Sequence, residues 1–273
     1  MADRVRIKLL KSFEDFEKLP GIQRLVWKHD DLDLTPPHQF AASTRMGAIL
    51  LGAFVGRELA GFVYSFPAVF KGESSQHSHL LAVLPAFQGY GLGKALKWAQ
   101  REEAVKGGYR FITWTYDPLQ ARNANLNLQA LAAISRTYFP NFYGLTPALC
   151  LGPGIPTDRL LIEWPIRARR VTARSEGKAR KPGYDATALP KALERRPSGE
   201  APFVRPGRSK LRLDEKVVLV EVPRDIKALI GQPDLIAEWQ SGLRRTMTAY
   251  FGRGYVADDF LFGDRAFYVL TRR

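Results

Sequence analysis

His77-Ser-His-Leu-Leu-Ala-Val-Leu-Pro-Ala-Phe-Gln-Gly-Tyr-Gly-Leu-Gly-Lys94, followed directly by Ala95-Leu-Lys-Trp-Ala-Gln-Arg-Glu-Glu-Ala-Val-Lys-Gly-Gly108, decides the fold. Leu80 to Leu84 is a short apolar run ended by Pro85, which has no N–H to give a ladder, so it reads as a buried strand. Gly89, Gly91 and Gly93 then occupy alternate positions. Apolar residues recur at Leu92, Ala95, Leu96 and Ala99, the spacing of one helix face, and Gly107-Gly108 supply the stop. The unit is strand, glycine loop, helix. A helix start offers unpaired backbone N–H groups and the positive end of the macrodipole, and glycine lets that backbone approach an anion closely. A phosphate-bearing ligand is the expected guest.

Spacing decides between glycine loops. A P-loop requires G-x-x-x-x-G-K-[S/T], but five positions before Gly93 stands Gln88, and Ala95 stands where Ser or Thr would hold Mg²⁺. A dinucleotide fingerprint requires G-x-G-x-x-G, yet the last position is Lys94 counted from Gly89 and Leu96 counted from Gly91. What remains, Gln88-Gly-Tyr-Gly-Leu-Gly93, fits [Q/R]-x-x-G-x-[G/A] behind Leu81-Ala-Val-Leu-Pro85. In this the chain resembles the GCN5-related N-acetyltransferase (GNAT) superfamily, whose loop of this form holds the pyrophosphate of an acyl-coenzyme A.

Composition sets the bounds. The 273 residues, 45% of them hydrophobic, allow one large domain or two modest ones. The longest uncharged apolar run, Met46 to Gly56, is far short of the roughly 20 residues of a membrane span. The first residues carry no apolar leader, and the single Cys150 leaves no internal disulfide, so a cytoplasmic location is expected. No metal site is expected: there is one Cys, and His29, His38 and His79 could converge only through the fold. The net charge of +14 invites a nucleic-acid reading. Residues 167–212, however, hold fourteen Lys and Arg against four acids, a net +10, so the excess belongs to one segment.

In chain order, Arg4 to Leu10 alternates like a half-buried strand, and Phe13 to Val26 reads as helical with a break near Pro20-Gly21. A short helix is expected from Pro36-Pro37 to about Met46. Ala48–Val55 and Leu59–Phe66 flank Gly56-Arg57-Glu58 as a hairpin. Phe111–Tyr116 is a strand. Asp117-Pro-Leu-Gln120 predicts a helix start, with the helix continuing to about Tyr138. Arg159–Ile166 is a further strand, and residues 167–212, aperiodic and rich in Arg, Lys, Pro and Gly, read as an extended connector. Val217–Val222, the periodic stretch from Pro233 to Gly252, Tyr255–Phe262 and Arg265–Leu270 predict strand, helix, strand, strand.

The resemblance implies an α/β (α+β) fold: a mixed, mostly antiparallel twisted sheet with flanking helices, and a C-terminal strand-helix-strand-strand appendage. Residues 1–166 are expected to form the acyl-CoA-binding catalytic domain, 167–215 the basic connector and 216–273 the appendage. The appendage resembles the second half of a GNAT domain, as packed half or partial duplication. No second glycine loop follows residue 166, so one cofactor site is expected.

The resemblance also assigns roles. Backbone groups of Leu81, Ala82 and Val83 would hold carbonyl and pantetheine, and amides of Gln88, Gly89, Tyr90, Gly91, Leu92, Gly93 and Lys94 the pyrophosphate. Asn123 or Asn127, in the Asn-rich opening of the second helix, would contact the coenzyme. The family's usual glutamate base has no counterpart here, since His77 stands at its position. Strand alternation puts His77 and His79 on one face, and an imidazole can take an amine proton near neutral pH. His79 is favoured as base, Tyr138 or Tyr143 is expected as acid, and Glu73 and Asp117 are acidic alternatives. Arg122 could pair with a substrate carboxylate.

The leading expectation is an acyl-CoA-dependent N-acyltransferase of bacterial type. It would move an acetyl or larger group such as succinyl from acetyl-CoA or another acyl-CoA to a small-molecule amine or amino acid. Two others rank below it: a protein or peptide acetyltransferase, and a nucleic-acid-associated GNAT-fold protein using the basic segment. No membrane partner is expected, and a homodimer is left open.

Overall fold

The computed structural model describes residues 5–28, 30–145, 151, 154–178, 183–196 and 204–273. His29 and Cys150 lie outside the described residues. The elements in order are β1 (Val5–Leu9), α1 (Phe13–Glu17), α2 (Leu19–Trp27), α3 (Pro37–Arg45), β2 (Ile49–Val55), β3 (Glu58–Phe70), β4 (Glu73–Val83), α4 (Leu92–Lys106) and β5 (Phe111–Tyr116). There follow α5 (Ala121–Ala124), which widens into a π-helical segment Asn125–Ala130, then β6 (Ile134–Phe139), β7 (Arg159–Pro165) and α6 (Arg169–Ser175). The chain ends with β8 (Lys191–Leu193), β9 (Arg195–Arg196), β10 (Arg205–Pro206), β11 (Val217–Val222), α7 (Pro233–Gly252), β12 (Tyr255–Phe262) and β13 (Ala266–Arg272). Among the described strand pairs only β4 with β5 and β8 with β11 run parallel, so the fold is mixed α/β with mostly antiparallel pairing.

The contacts divide the chain into two compact units, 1–114 with 164–175, and 115–163 with 176–273. In the first, β1 to β4 form an antiparallel meander, and Ser75, Gln76 and His77 of β4 pair in parallel with Phe111, Ile112 and Thr113 of β5. One face carries α1 to α3 over Leu10, Phe16, Leu19, Phe40, Phe62 and Tyr64, joined by Leu80, Ala82 and Leu84. The alternate residues Leu81 and Val83 meet α4, where a Cβ on Gly93 would touch both. In the second unit, α7 buries Trp239, Leu243, Met247 and Tyr250 and packs on β6, β11 and β12. There β11 joins β13 and β13 joins β12, the expected strand-helix-strand-strand appendage.

Several sequence expectations are corrected. Pro20 does not break a helix but sits in the first turn of α2, where its missing N–H costs nothing; the break is at Lys18. Asp117 accepts from Leu119 N at 2.9 Å in a tight turn, and the helix starts only at Ala121. It ends at Ala130 rather than Tyr138. Ala132 takes a left-handed φ of 55°, and the β-branched and aromatic run Ile134-Ser-Arg-Thr-Tyr-Phe139 becomes a strand. Within 167–212, α6, β8, β9 and β10 give regular structure where none was expected.

Two close approaches fix β4. Gly61 lies against it so tightly that a Cβ would meet the Ala82 carbonyl oxygen at 2.5 Å. A register shift between Tyr64 and Ser65 leaves His79 as the extra residue of a β-bulge, a device that re-aims side chains. Gly61→Ala is therefore expected to lower stability by about 1–3 kcal/mol through overpacking. Urea unfolding measures this, and an unchanged midpoint would contradict the packing described.

Candidate functional site

The glycine loop is built as a turn into α4. Pro85–Phe87 forms a short 3₁₀ turn, and Gln88 Nε2 donates to the Val83 carbonyl at 2.9 Å, tying the loop back to the strand end. Gly89 and Gly91 have φ of 88° and 81°, the left-handed region that glycine enters without strain. A Cβ at either would meet nothing within 4 Å, so the backbone there faces open space. Gly91 is the N-cap of α4, no side chain caps the helix, and its first turn holds no acid. The leading N–H groups are thus offered outward beside the exposed Lys94, with Leu92 anchoring the turn in the core at 3% exposure. Tyr90 is 80% exposed at the loop tip.

The β4 histidines share a face, as alternation requires. The His77 ring lies 5.5 Å and the His79 ring 5.9 Å from that of Phe66, with Tyr64 6.4 Å from His79. His77 Nδ1 is 3.1 Å from Thr113 Oγ1, which orients it, whereas His79 makes no hydrogen bond among the described residues and keeps part of its surface open. Burial, then His79 and Lys97, push the His77 imidazole down to about 4; burial also lowers His79. Both are therefore neutral proton acceptors at physiological pH. Glu73 is spent on an ion pair with Arg110 at 3.2 Å.

The remaining sequence candidates lie in the second unit. Tyr138 donates to Asp158 Oδ2 at 2.6 Å, and Arg244 grips both oxygens of that fully buried carboxylate at 2.8 Å. Burial, and then the Asp158 charge, hold the Tyr138 phenol well above its usual range. Tyr143 is more open, its hydroxyl 3.2 Å from Thr115 Oγ1. Asn123 and Arg122 are exposed on α5, whereas Asn127 is buried in the π-helical segment. Burial raises Asp117. A cavity of 910 Å³ within this unit is lined by residues including Asn125, Gln129, Tyr184, Lys191 and Asp259, and by none of the predicted site residues.

Sequence reading missed Lys97, Ser78 and Gln100. Lys97 and Gln100 sit on the buried face of α4 with Leu92, Leu96 and Ala104, and the i, i+4 step from Leu92 and Leu96 to Gln100 was the available signal. Among the described residues no three His, Cys, Asp or Glu side chains gather as a metal site, and no helix is long and apolar enough to cross a membrane.

Comparison with known proteins accords with this geometry. The Acetyltransferase (GNAT) family matches residues 11–131. Among solved structures, yncA from Salmonella typhimurium, determined with its cofactor acetyl-CoA, superposes with a TM-score of 0.50 at 17% identity, covering 61% of this chain and 96% of that one. The ribosomal-protein-S18-alanine N-acetyltransferase from Escherichia coli gives 0.48 at 19% identity over 60% and 96%. No curated protein matches. Residues 11–131, which hold the glycine loop and α4, are thus the part of the chain that matches the acetyltransferase (GNAT) family.

Proposed function

We propose that the protein is an acyl-CoA-dependent N-acyltransferase that moves an acetyl or larger acyl group such as succinyl to a small amine or amino acid in the cytoplasm. The observation that carries the reading is the uncapped, glycine-built start of α4, open at Gly89 and Gly91 and flanked by Lys94. Amides from Gln88 to Lys94 would hold the diphosphate, and the main chain of Leu81 to Val83 would align the pantetheine arm and thioester. The acceptor amine must lose a proton as its nitrogen attacks the thioester carbon. His79 is assigned that proton, because the bulge turns it out and its ring nitrogens are uncommitted. His77, held by Thr113, supports it. Tyr138 is disfavoured as the acid for the departing thiolate, since its proton is committed to Asp158. Several cations of the basic segment are engaged internally, Arg195 with Glu221 and Arg205 with Glu238, which weighs against a nucleic-acid role.

Mixing the protein with acetyl-CoA or succinyl-CoA and a panel of small amines is expected to release free thiol with at least one pair; release with none would remove the reading. Gly91→Ala forces a side chain into the left-handed region at the anion's door, and is expected to weaken coenzyme A binding roughly tenfold, about 1.4 kcal/mol, without unfolding the protein.

The histidines set a pH signature. A free imidazole takes its proton near 6.5, but folded His77 only near 4, so the unfolded chain binds more protons between these values. Stability is full above about pH 6.5 and falls as pH drops toward 4. His77→Gln should flatten this slope in thermal melts, and His79→Ala should cost about 10²–10⁴ in kcat. A slope unchanged in the first variant, or full activity in the second, would contradict the assignment.

A further inference from the structure

The β4–β5 ladder stops at His77 and Thr113, and the next residues on each strand, Ser78 and Trp114, hold one cation between them. Lys97 Nζ, reaching from α4, donates to Ser78 Oγ at 3.0 Å and to Gln100 Oε1 at 2.8 Å, and stands 3.6 Å from the Trp114 ring centroid. Trp164 lies 5.5 Å away, edge-on to Trp114. Lys97 is only 2% exposed, and among the described residues no carboxylate pairs with it. Two oxygen acceptors and an aromatic face serve the three protons of an ammonium, so the cage suits the charged form. An unpaired buried charge is costly and serves neither packing nor solubility. Its place is what it can serve: Ser78 adjoins the His79 bulge, and the strand beyond is the stretch to which the acyl-transfer reading assigns the thioester.

We propose that Lys97 is a positioning residue that wedges β4 from β5 and supplies a fixed positive charge to the fork, favouring the negative charge that develops on the thioester oxygen and sulfur during transfer. The proposal rests on the acyl-transfer reading. The same charge acts on His77, after burial and His79. The other groups facing that imidazole are His79 on its own strand, Thr113 on β5 and Phe66 on β3, none of which is a carboxylate. Burial lowers Lys97 well below its ordinary value; the Ser78 and Gln100 oxygens and the Trp114 face act in the opposite direction, toward the ammonium.

Two variants of the full chain test the idea. Lys97→Met removes the charge, and Gln100→Glu keeps the lysine and its packing but places a carboxylate against it. NMR titration of the His77 ring and steady-state kinetics are the readouts. Both variants should raise the His77 midpoint by roughly one unit or more and lower kcat about tenfold to a hundredfold, with KM for the acyl-CoA changed less than about twofold. Should Lys97→Met fail to fold, Gln100→Glu decides alone. An unmoved His77 midpoint overturns the proposal, as does a loss of kcat matched by an equal rise in KM. If the wild type turns over no acyl-CoA, the acyl-transfer reading fails on its own evidence, and the absence of a His77 shift would separately remove the charge.

Discussion

The start of α4 depends on a constraint that the chain's own side chains do not relieve: the first N–H groups of a helix have no acceptor within it, and Gly91 brings no capping oxygen. Most helices answer this with Ser, Thr, Asp or Asn, as α1 does with Ser12, whose hydroxyl accepts from Asp15 N. At α4 the amides are held ready by a loop of left-handed glycines instead. Everything before the loop serves to hold it still: the 3₁₀ turn, the Gln88 link to Val83, and a β4 pressed against Gly61. A helix terminus left bare on so rigid a mount is well suited to an anion from outside.

The strand leading to that terminus is shaped for a second task. The bulge at His79 adds a residue just beyond the last β4–β5 pair, so the strands part where the side chains of β4 turn from structural to available. His77 stays on the paired side, tethered to Thr113, and His79 falls on the open one. Lys97 fills the fork from the helix side. One helix thus supplies bare amides at its first turn and the buried Lys97 in its second, so both ends of an extended anionic donor would meet positive potential from a single element.

Much of this was legible in residue order, and the remainder was not for identifiable reasons. Pro85, the alternate glycines and the stripe from Leu92 carried the strand, loop and helix because each acts through local backbone rules. The hairpin around Gly56 and the strand-helix-strand-strand tail followed for the same reason. The helix after Asp117 was overextended because Leu128 and Leu131 keep a helical rhythm up to Ala132, where a left-handed residue ends it. The bulge at His79 is a property of pairing with β3, which no single strand reveals. Lys97 was invisible because a lysine on a helix reads as solvated, and only Trp114 and Trp164, far along the chain, make it a buried charge.

The most direct measurement of the central claim is calorimetric titration of the purified chain with coenzyme A, alongside dephosphorylated pantetheine as the arm lacking the diphosphate. Uptake of coenzyme A at one site per chain, with pantetheine at least tenfold weaker, is the result expected if the amides of Gln88 to Lys94 grip the diphosphate. Equal affinity for the two, or no uptake of either, would contradict it.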